Sequence, residues 1–430
     1  MRGITVYSTN RIVQHFSLAI AFAALAATAQ AATLCNVHAY GAAGDGRTKD
    51  TLAIQKAIDE CSAKGGGTVL FPAGTYVSAP IRIKSNVTLH LDKNATLLGS
   101  PDHADYPEKV EFHTPDRQPL VGAENAANIA IEGEGTIDGN GQSWWDEAVK
   151  IHDHGVLGVH PRPKLIILDH SKNIRIEGIT IQNSPMWQLV PYYSQNIVIR
   201  NVRILAPQHS PNTDAIDPFS SSDIVIDHVF ASIGDDNIAI KSGPINSPGP
   251  DAPSKNIVIR DCVFEHGHGL SIGSEIAGGV QNVVAERITF RGTDNGIRVK
   301  ANRDRGNADI GNFVFRDITM TDVKNDIIIS EYYPKIAPEG PVDAAPIGRL
   351  TPVFHDIVLE NVTATGDTDA GAIYGLPESP IKNVTLKHIH IQSAKPLKIG
   401  YAQVQTENLV VQVPAGEGVV KLSGAALKTK

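Results

Sequence analysis

Four short motifs hold the residues best suited to chemistry: Asn212-Thr213-Asp214, Gly234-Asp235-Asp236, Gly267-His268-Gly269 and Arg298-Val299-Lys300. Singly, each is ordinary. Asn, Asp and Gly are turn formers, a lone Gly-His-Gly reads as a turn with an exposed imidazole, and Arg-Val-Lys is an edge-strand pattern. Their spacing singles them out. Asp214 and Asp236 are 22 residues apart, Asp236 and His268 32, and His268 and Arg298 30. If the chain coils with that period, these side chains line one flank, with adjacent rungs ~4.8 Å apart. Three carboxylates then stand beside three potential cations. Aspartates held that close cannot all ionise easily. Repulsion raises at least one pKa and can keep a proton near neutral pH, which is what acid/base chemistry requires.

A repeat supplies the coils. A unit of Asn or Asp, then an apolar residue, then an alternating strand begins at Asn86, Asn128, Asn173, Asn196, Asp223, Asn256, Asn282, Asn312, Asp356, Asn383 and Asn408. Most gaps are 23 to 33 residues, and three exceed 40; each long gap has room for two coils or for one coil with a loop. Strands such as Ile174-Arg175-Ile176 and Ile197-Val198-Ile199 alternate with period two. One such strand cannot bury its apolar face alone, whereas stacked coils share a continuous core. The pattern predicts an all-β chain: a single right-handed parallel β-helix. Asn suits the recurring turn because it tolerates the left-handed region, and stacked Asn side chains would bond one another.

The open end of a solenoid needs a cap. The stretch from Asp50 to Cys61 supplies an N-terminal capping helix, with Asp50 as N-cap and Ile54, Ile58 and Cys61 on one face. Gly243 to Ser254 and Tyr333 to Arg349 read as loops that could wall a groove, and the tail after Leu422 shows little pattern. Of three cysteines, Cys35 and Cys61 flank one unit and form the favoured disulfide, while Cys262 sits in a core strand pattern.

Arg2 and Arg11, an uncharged apolar run from Phe16 to Ala27, and Ala29-Gln30-Ala31 read as a signal peptide over residues 1–31. The expectation is export to the periplasm or the medium, with one domain over 32–430. The net charge of −8 excludes general affinity for nucleic acid or anionic membrane. An anionic substrate would need a local basic patch. No metal or organic cofactor is implied, and a β-helix covered along its length is expected to be a monomer.

The four motifs, read as NTDAID (212–217), GDDNIAIKSG (234–243), GHGLSIGSE (267–275) and RVK (298–300), resemble those of glycoside hydrolase family 28, the polygalacturonases. The stretch from Ala39 to Tyr76 resembles the start of many pectin-degrading β-helix enzymes, so the likeness spans nearly the whole mature chain. Val299 stands where Ile is usual and Asn237 where Cys is frequent; neither change touches a catalytic group.

The resemblance implies hydrolysis of α-1,4 bonds in polygalacturonate with inversion. Asp235 would be the general acid, and Asp214 and Asp236 would hold and deprotonate the attacking water. His268 would sustain the acid's protonation, Asn212 would orient substrate or aspartates, and Arg298 and Lys300 would bind the sugar carboxylate. A tyrosine is expected downstream; spacing favours Tyr333 over Tyr332. Trp187 is assigned mainly to packing, and Trp144 and Trp145 are candidates for stacking on sugars. The competing readings are a hydrolase of branched pectin (rhamnogalacturonan or xylogalacturonan), a pectate lyase, and a non-catalytic β-helix that binds carbohydrate.

Overall fold

The computed structural model describes residues 33–430, apart from 112–113, 154–160, 244–248, 250, 339 and 341. The expected signal segment and much of the 243–254 loop lie outside the described residues. Thr33–Lys430 form one compact unit, and its architecture is a right-handed parallel β-helix.

The repeat fixes the stacking register. Ile129, Ile174, Ile197, Ile224, Ile257, Val283, Phe313, Ile357 and Val384 are opposite one another in successive coils. All of them are buried. A one-residue slip anywhere would turn this column out to solvent, and each such side chain stabilises the fold by roughly 1.5–3 kcal/mol. The only antiparallel pair among the described strands is the hairpin of Glu108–Glu111 with Thr114–Arg117.

Left-handed turns set where each coil begins. All eleven unit-starting residues have φ between 53° and 63°, a region that Asn and Asp enter at least cost. Their side chains form a ladder. Asn128 donates to Asn86 at 2.9 Å, Asn173 to Asn128 at 2.8 Å and Asn196 to Asn173 at 3.2 Å. Asp lacks a donor, so at Asp223 and Asp356 it is the following Asn256 and Asn383 that donate, at 2.9 and 3.0 Å.

Helix Thr51–Ala63 packs against strands of the first coils and buries Ile54, Ala57, Ile58 and Cys61. Asp50 precedes it but makes no capping bond. Its carboxylate instead accepts from the Ala43 and Gly44 amides at 2.7 and 3.0 Å, closing the preceding loop. The expected Cys35–Cys61 disulfide is not present. All three cysteines are buried free thiols, and Cys61 Sγ is directed at the Thr33 carbonyl, 3.7 Å away. The tail is also more ordered than its pattern suggested, since Ala426–Thr429 pairs in parallel with residues 403–406.

One face of the helix positions the chemistry. It runs through strands Ile166–Asp169 and Leu189–Tyr192, isolated bridges at Ile216 and Phe219, and then Ile238–Ile240, Leu270–Ile272, Asn295–Lys300 and Asn325–Ser330. Ile238, Ile240, Leu270, Ile272, Ile297 and Val299 fill the core. The residues that alternate with them face outward.

Candidate active site

The amides of Leu165, Gln188 and Ala215 donate to the carbonyls of Trp187, Asp214 and Asp236. Lys164, Trp187, Asp214 and Asp236 therefore occupy equivalent positions on four successive rungs. Asp235 comes one residue before Asp236, on the same turn. Two coils further on, β-alternation turns Arg298 and Lys300 outward on either side of buried Val299.

Asp236 is almost fully buried. Its Oδ2 accepts from Lys300 Nζ at 2.7 Å, and its Oδ1 accepts from Ser271 Oγ at 2.8 Å and faces Arg298 at 3.6 Å. Burial alone would raise its pKa, but Lys300, Arg298 and Lys241 outweigh it and hold the carboxyl at about 2. Asp214 is the opposite case. It is buried, its Oδ1 has no hydrogen-bond partner among the described residues, and its Oδ2 lies 3.8 Å from Lys241. Burial, then the neighbouring Asp235 and Asp217, push it well above the usual carboxylate range.

Asp235 is the most open of the three. Its Oδ1 accepts from the Asp236 amide at 2.9 Å and lies 2.9 Å from His268 Nδ1. Its Oδ2 accepts a longer bond, 3.4 Å, from Asn212 Nδ2. Burial works against charging His268, yet its bond to Asp235 and the nearby Asp236 raise its pKa. His268 Nε2 lies 3.5 Å from Asp294, which also pairs with Lys324 at 2.5 Å.

A depression of about 290 Å³ opens beside these groups, lined by Asp235, His268, Asp294, Arg298, Lys300, Lys324 and Tyr333 among others. Arg298, Lys300 and Arg305 lie 5.6, 5.3 and 5.7 Å from the centre of the Tyr333 ring, a cation–π arrangement that holds a cationic wall. Tyr332 turns away and packs edge-on against Tyr374. A depression of about 330 Å³ lies on the same sheet near Arg82, Lys109 and Glu124, but it contains none of the aspartate cluster, which leaves the smaller one as the candidate site.

The structure thus brings Asp214, Asp235, Asp236, His268, Asn212, Arg298, Lys300 and Tyr333 to one flank. It also adds groups the sequence reading passed over. Asp217 is fully buried, with neither oxygen hydrogen-bonded among the described residues, and burial pushes it up to about 8 against the pull of Lys241. Lys241 sits among Asp214, Glu275 (3.5 Å) and the Trp187 ring (4.7 Å). Glu275 and Arg162 complete the set. Asp217, Lys241 and Glu275 lie inside the quoted motifs, and a lysine closing the strand pattern Ile238-Ala239-Ile240 was a usable signal. Arg162, between two prolines, carried none.

The aromatic expectations change. Trp187 is not core. It is only partly buried, packed against a small buried cluster of Ile167, Val190 and Phe219 apart from the main core, with Lys164 and Lys241 at 5.1 and 4.7 Å from its ring. Trp144 and Trp145 are buried, one stacked on His103 at 3.5 Å and the other donating to the Ser184 carbonyl at 3.0 Å; neither is open to a sugar. Gln208 and His209 are exposed and do not line the depression.

As for metals, Asp235, Asp236 and His268 offer ligand atoms within 4.8 Å of one another, and so do Asp227, His228 and Asp261. In the first group an ion would have to displace Lys300 and Arg298 from Asp236.

The profile of the glycosyl hydrolases family 28 matches residues 61–409. A probable polygalacturonase of Vitis vinifera is 31% identical over 409 residues, covering 91% of this chain and 80% of its own. An endo-polygalacturonase of Pectobacterium carotovorum subsp. carotovorum is 32% identical over 333 residues, covering 73% and 77%. The crystal structure of a hyperthermoactive exopolygalacturonase from Thermotoga maritima is similar with a TM-score of 0.75 at 30% identity, over 91% of this chain and 92% of that one.

Proposed function

The chain belongs to glycosyl hydrolase family 28 and is a pectin-degrading glycoside hydrolase; from that premise we propose that it is an exported polygalacturonase that cuts α-1,4 bonds of polygalacturonate with inversion, with Asp235 as acid and Asp236 as base. The observation that carries this reading is the opposite treatment of adjacent carboxyls. Lys300 and Arg298 hold Asp236 ionised, while burial and Asp235 push Asp214 towards its protonated form. Inverting hydrolysis needs one carboxyl with a proton and one without.

In this mechanism the burial and repulsion that raise Asp214 mark a carboxyl cluster that does not ionise fully. Asp235, its most open member, delivers the proton to the leaving glycosidic oxygen. Asp236 takes the proton of the attacking water, which Asp214 helps to hold. The C–O bond breaks as water's oxygen bonds to the anomeric carbon from the opposite face, and the water's second hydrogen stays as the new hydroxyl. His268 steadies Asp235 through its 2.9 Å contact. Arg298, at 3.6 Å from Asp236, is freer than Lys300 to take the sugar carboxylate, and its planar fork can do so with two bonds. Tyr333 supports that cationic wall.

Proton NMR during cleavage of oligogalacturonate tests the assignment. The first reducing end formed is expected to be the β-anomer. An initial α-anomer would mean retention and would overturn these roles.

A further inference from the structure

We propose that Arg162 is a positioning residue for the catalytic acid: by fixing which end of the Asn212 side-chain amide faces Asp235, it keeps the acid's proton available to substrate. This rests on the reading of Asp235 as the acid.

Arg162 is buried beside the catalytic face. One terminal nitrogen donates to the carbonyls of Pro185 and Pro211 at 2.9 and 2.8 Å, and the other donates to Asn212 Oδ1 at 2.6 Å. A guanidinium has five donors and no acceptor, so it can meet only the oxygen end of the amide. The nitrogen end must then face Asp235, where Nδ2 lies 3.4 Å from Oδ2. The other carboxyl oxygen of Asp235 already meets the Asp236 amide and His268. Oδ2 is therefore the oxygen left to carry a transferable proton.

Orientation decides what becomes of that proton. Facing an N–H, the O–H of Asp235 finds no acceptor in Asn212 and is left for the glycosidic oxygen. After transfer, the same N–H stabilises the new carboxylate. A flipped amide would offer its carbonyl, accept the O–H and hold it back. Burying Arg162 is costly, since its Nε has no hydrogen-bond partner among the described residues and burial lowers its pKa to about 10. An unsatisfied buried donor on a buried cation costs free energy.

The charged groups around Asp235 are His268, with Asp294 behind it, from later coils, Asp214, Asp217 and Arg162 from earlier ones, and Asp236 beside it. Replacing Arg162 with an uncharged residue has two effects of one sign. It frees the amide to accept the acid's proton, and it removes a cation that favours the ionised form. Both stabilise the protonated acid.

The test follows oligogalacturonate hydrolysis across pH. In Arg162→Met, kcat should fall roughly ten- to a hundredfold, KM should stay within about threefold, and the alkaline limb of the kcat profile should move to higher pH. Arg162→Lys, still a pure donor, should keep the limb in place and restore most of the turnover. Combined with Asn212→Ala, the Arg162→Met loss should be much smaller than in the wild-type background. If Arg162→Met does not fold, Arg162→Gln replaces it; its amide meets either end of Asn212, so an intermediate loss is expected. The proposal is overturned if Lys is as poor as Met, if KM rises with kcat intact, if the limbs do not move, or if the two substitutions act additively. A wild-type enzyme inactive on oligogalacturonate, or a fully active Asp235→Asn, would instead overturn the reading of the site itself.

Discussion

Lys300 Nζ lies 2.7 Å from Asp236 Oδ2, with both side chains almost wholly buried and one coil between them. A lysine fixed in this way cannot serve the substrate alone. Its first effect is to keep a buried carboxyl ionised that burial would otherwise protonate.

Lys300→Met should therefore change the pH profile as well as affinity. Asp236 is held at about 2 chiefly by Lys300 and then by Arg298 and Lys241. Without Lys300 its pKa rises, because burial is then opposed only by Arg298 and Lys241. A base acts only when ionised, so the acid limb of kcat/KM should shift to higher pH and the maximum should fall roughly tenfold or more. An acid limb at its wild-type position would show that Lys300 does not set the ionisation of Asp236.

Asp235→Asn should lower kcat by roughly a hundred- to ten-thousandfold while oligogalacturonate still binds. Calorimetric titration should give a Kd within a few-fold of wild type, because Arg298, Lys300 and Tyr333 are untouched. Wild-type turnover in a folded variant would remove Asp235 from the mechanism.

Asp217 gives a prediction about stability. Its folded-state pKa is about 8 against an ordinary value of 3.8. Between those values the native state binds more protons than the unfolded chain, so stability falls as pH rises through that window. Asp217→Asn mimics the protonated carboxyl and removes this dependence. The melting temperature of the variant relative to wild type should climb as pH rises from 4 towards 8. A difference that stays flat or declines would mean that Asp217 is ionised in the fold.

The Asn ladder can be tested away from the site. Asn173 has φ +56°, donates to Asn128 at 2.8 Å and accepts from Asn196 at 3.2 Å. Asn173→Ala loses both bonds and strains a left-handed position, costing about 1–3 kcal/mol. Asn173→Gly, which removes the strain, should cost less. Denaturant unfolding measures both, and equal losses would mean that the backbone conformation contributes nothing.

Much of this was legible because a solenoid writes its geometry into its period. The repeating Asn or Asp marks a left-handed turn in every coil, and fixed turns put Asp214, Asp236 and Arg298 on one flank. What the period could not show is contact between residues that share no rung. Arg162 reaches Asn212 across 50 positions. Trp187 looked like core because an apolar residue beside a strand usually is, but it packs against Val190 and Phe219, in a small cluster apart from the main core. Asp50 stands at a helix start as an N-cap should, but two loop amides compete for its carboxylate. Local pattern gives the candidates for such bonds, and the packing of the coils selects among them.

The most direct test of the central claim is incubation of purified protein with de-esterified polygalacturonate and a chelator, following new reducing ends and ultraviolet absorbance together. Hydrolysis by the aspartate cluster predicts rising reducing ends with flat absorbance, and the product lengths then separate internal from terminal cutting. Absorbance rising with the reducing ends would mean an unsaturated product, elimination rather than hydrolysis, and would contradict the roles assigned to Asp235 and Asp236.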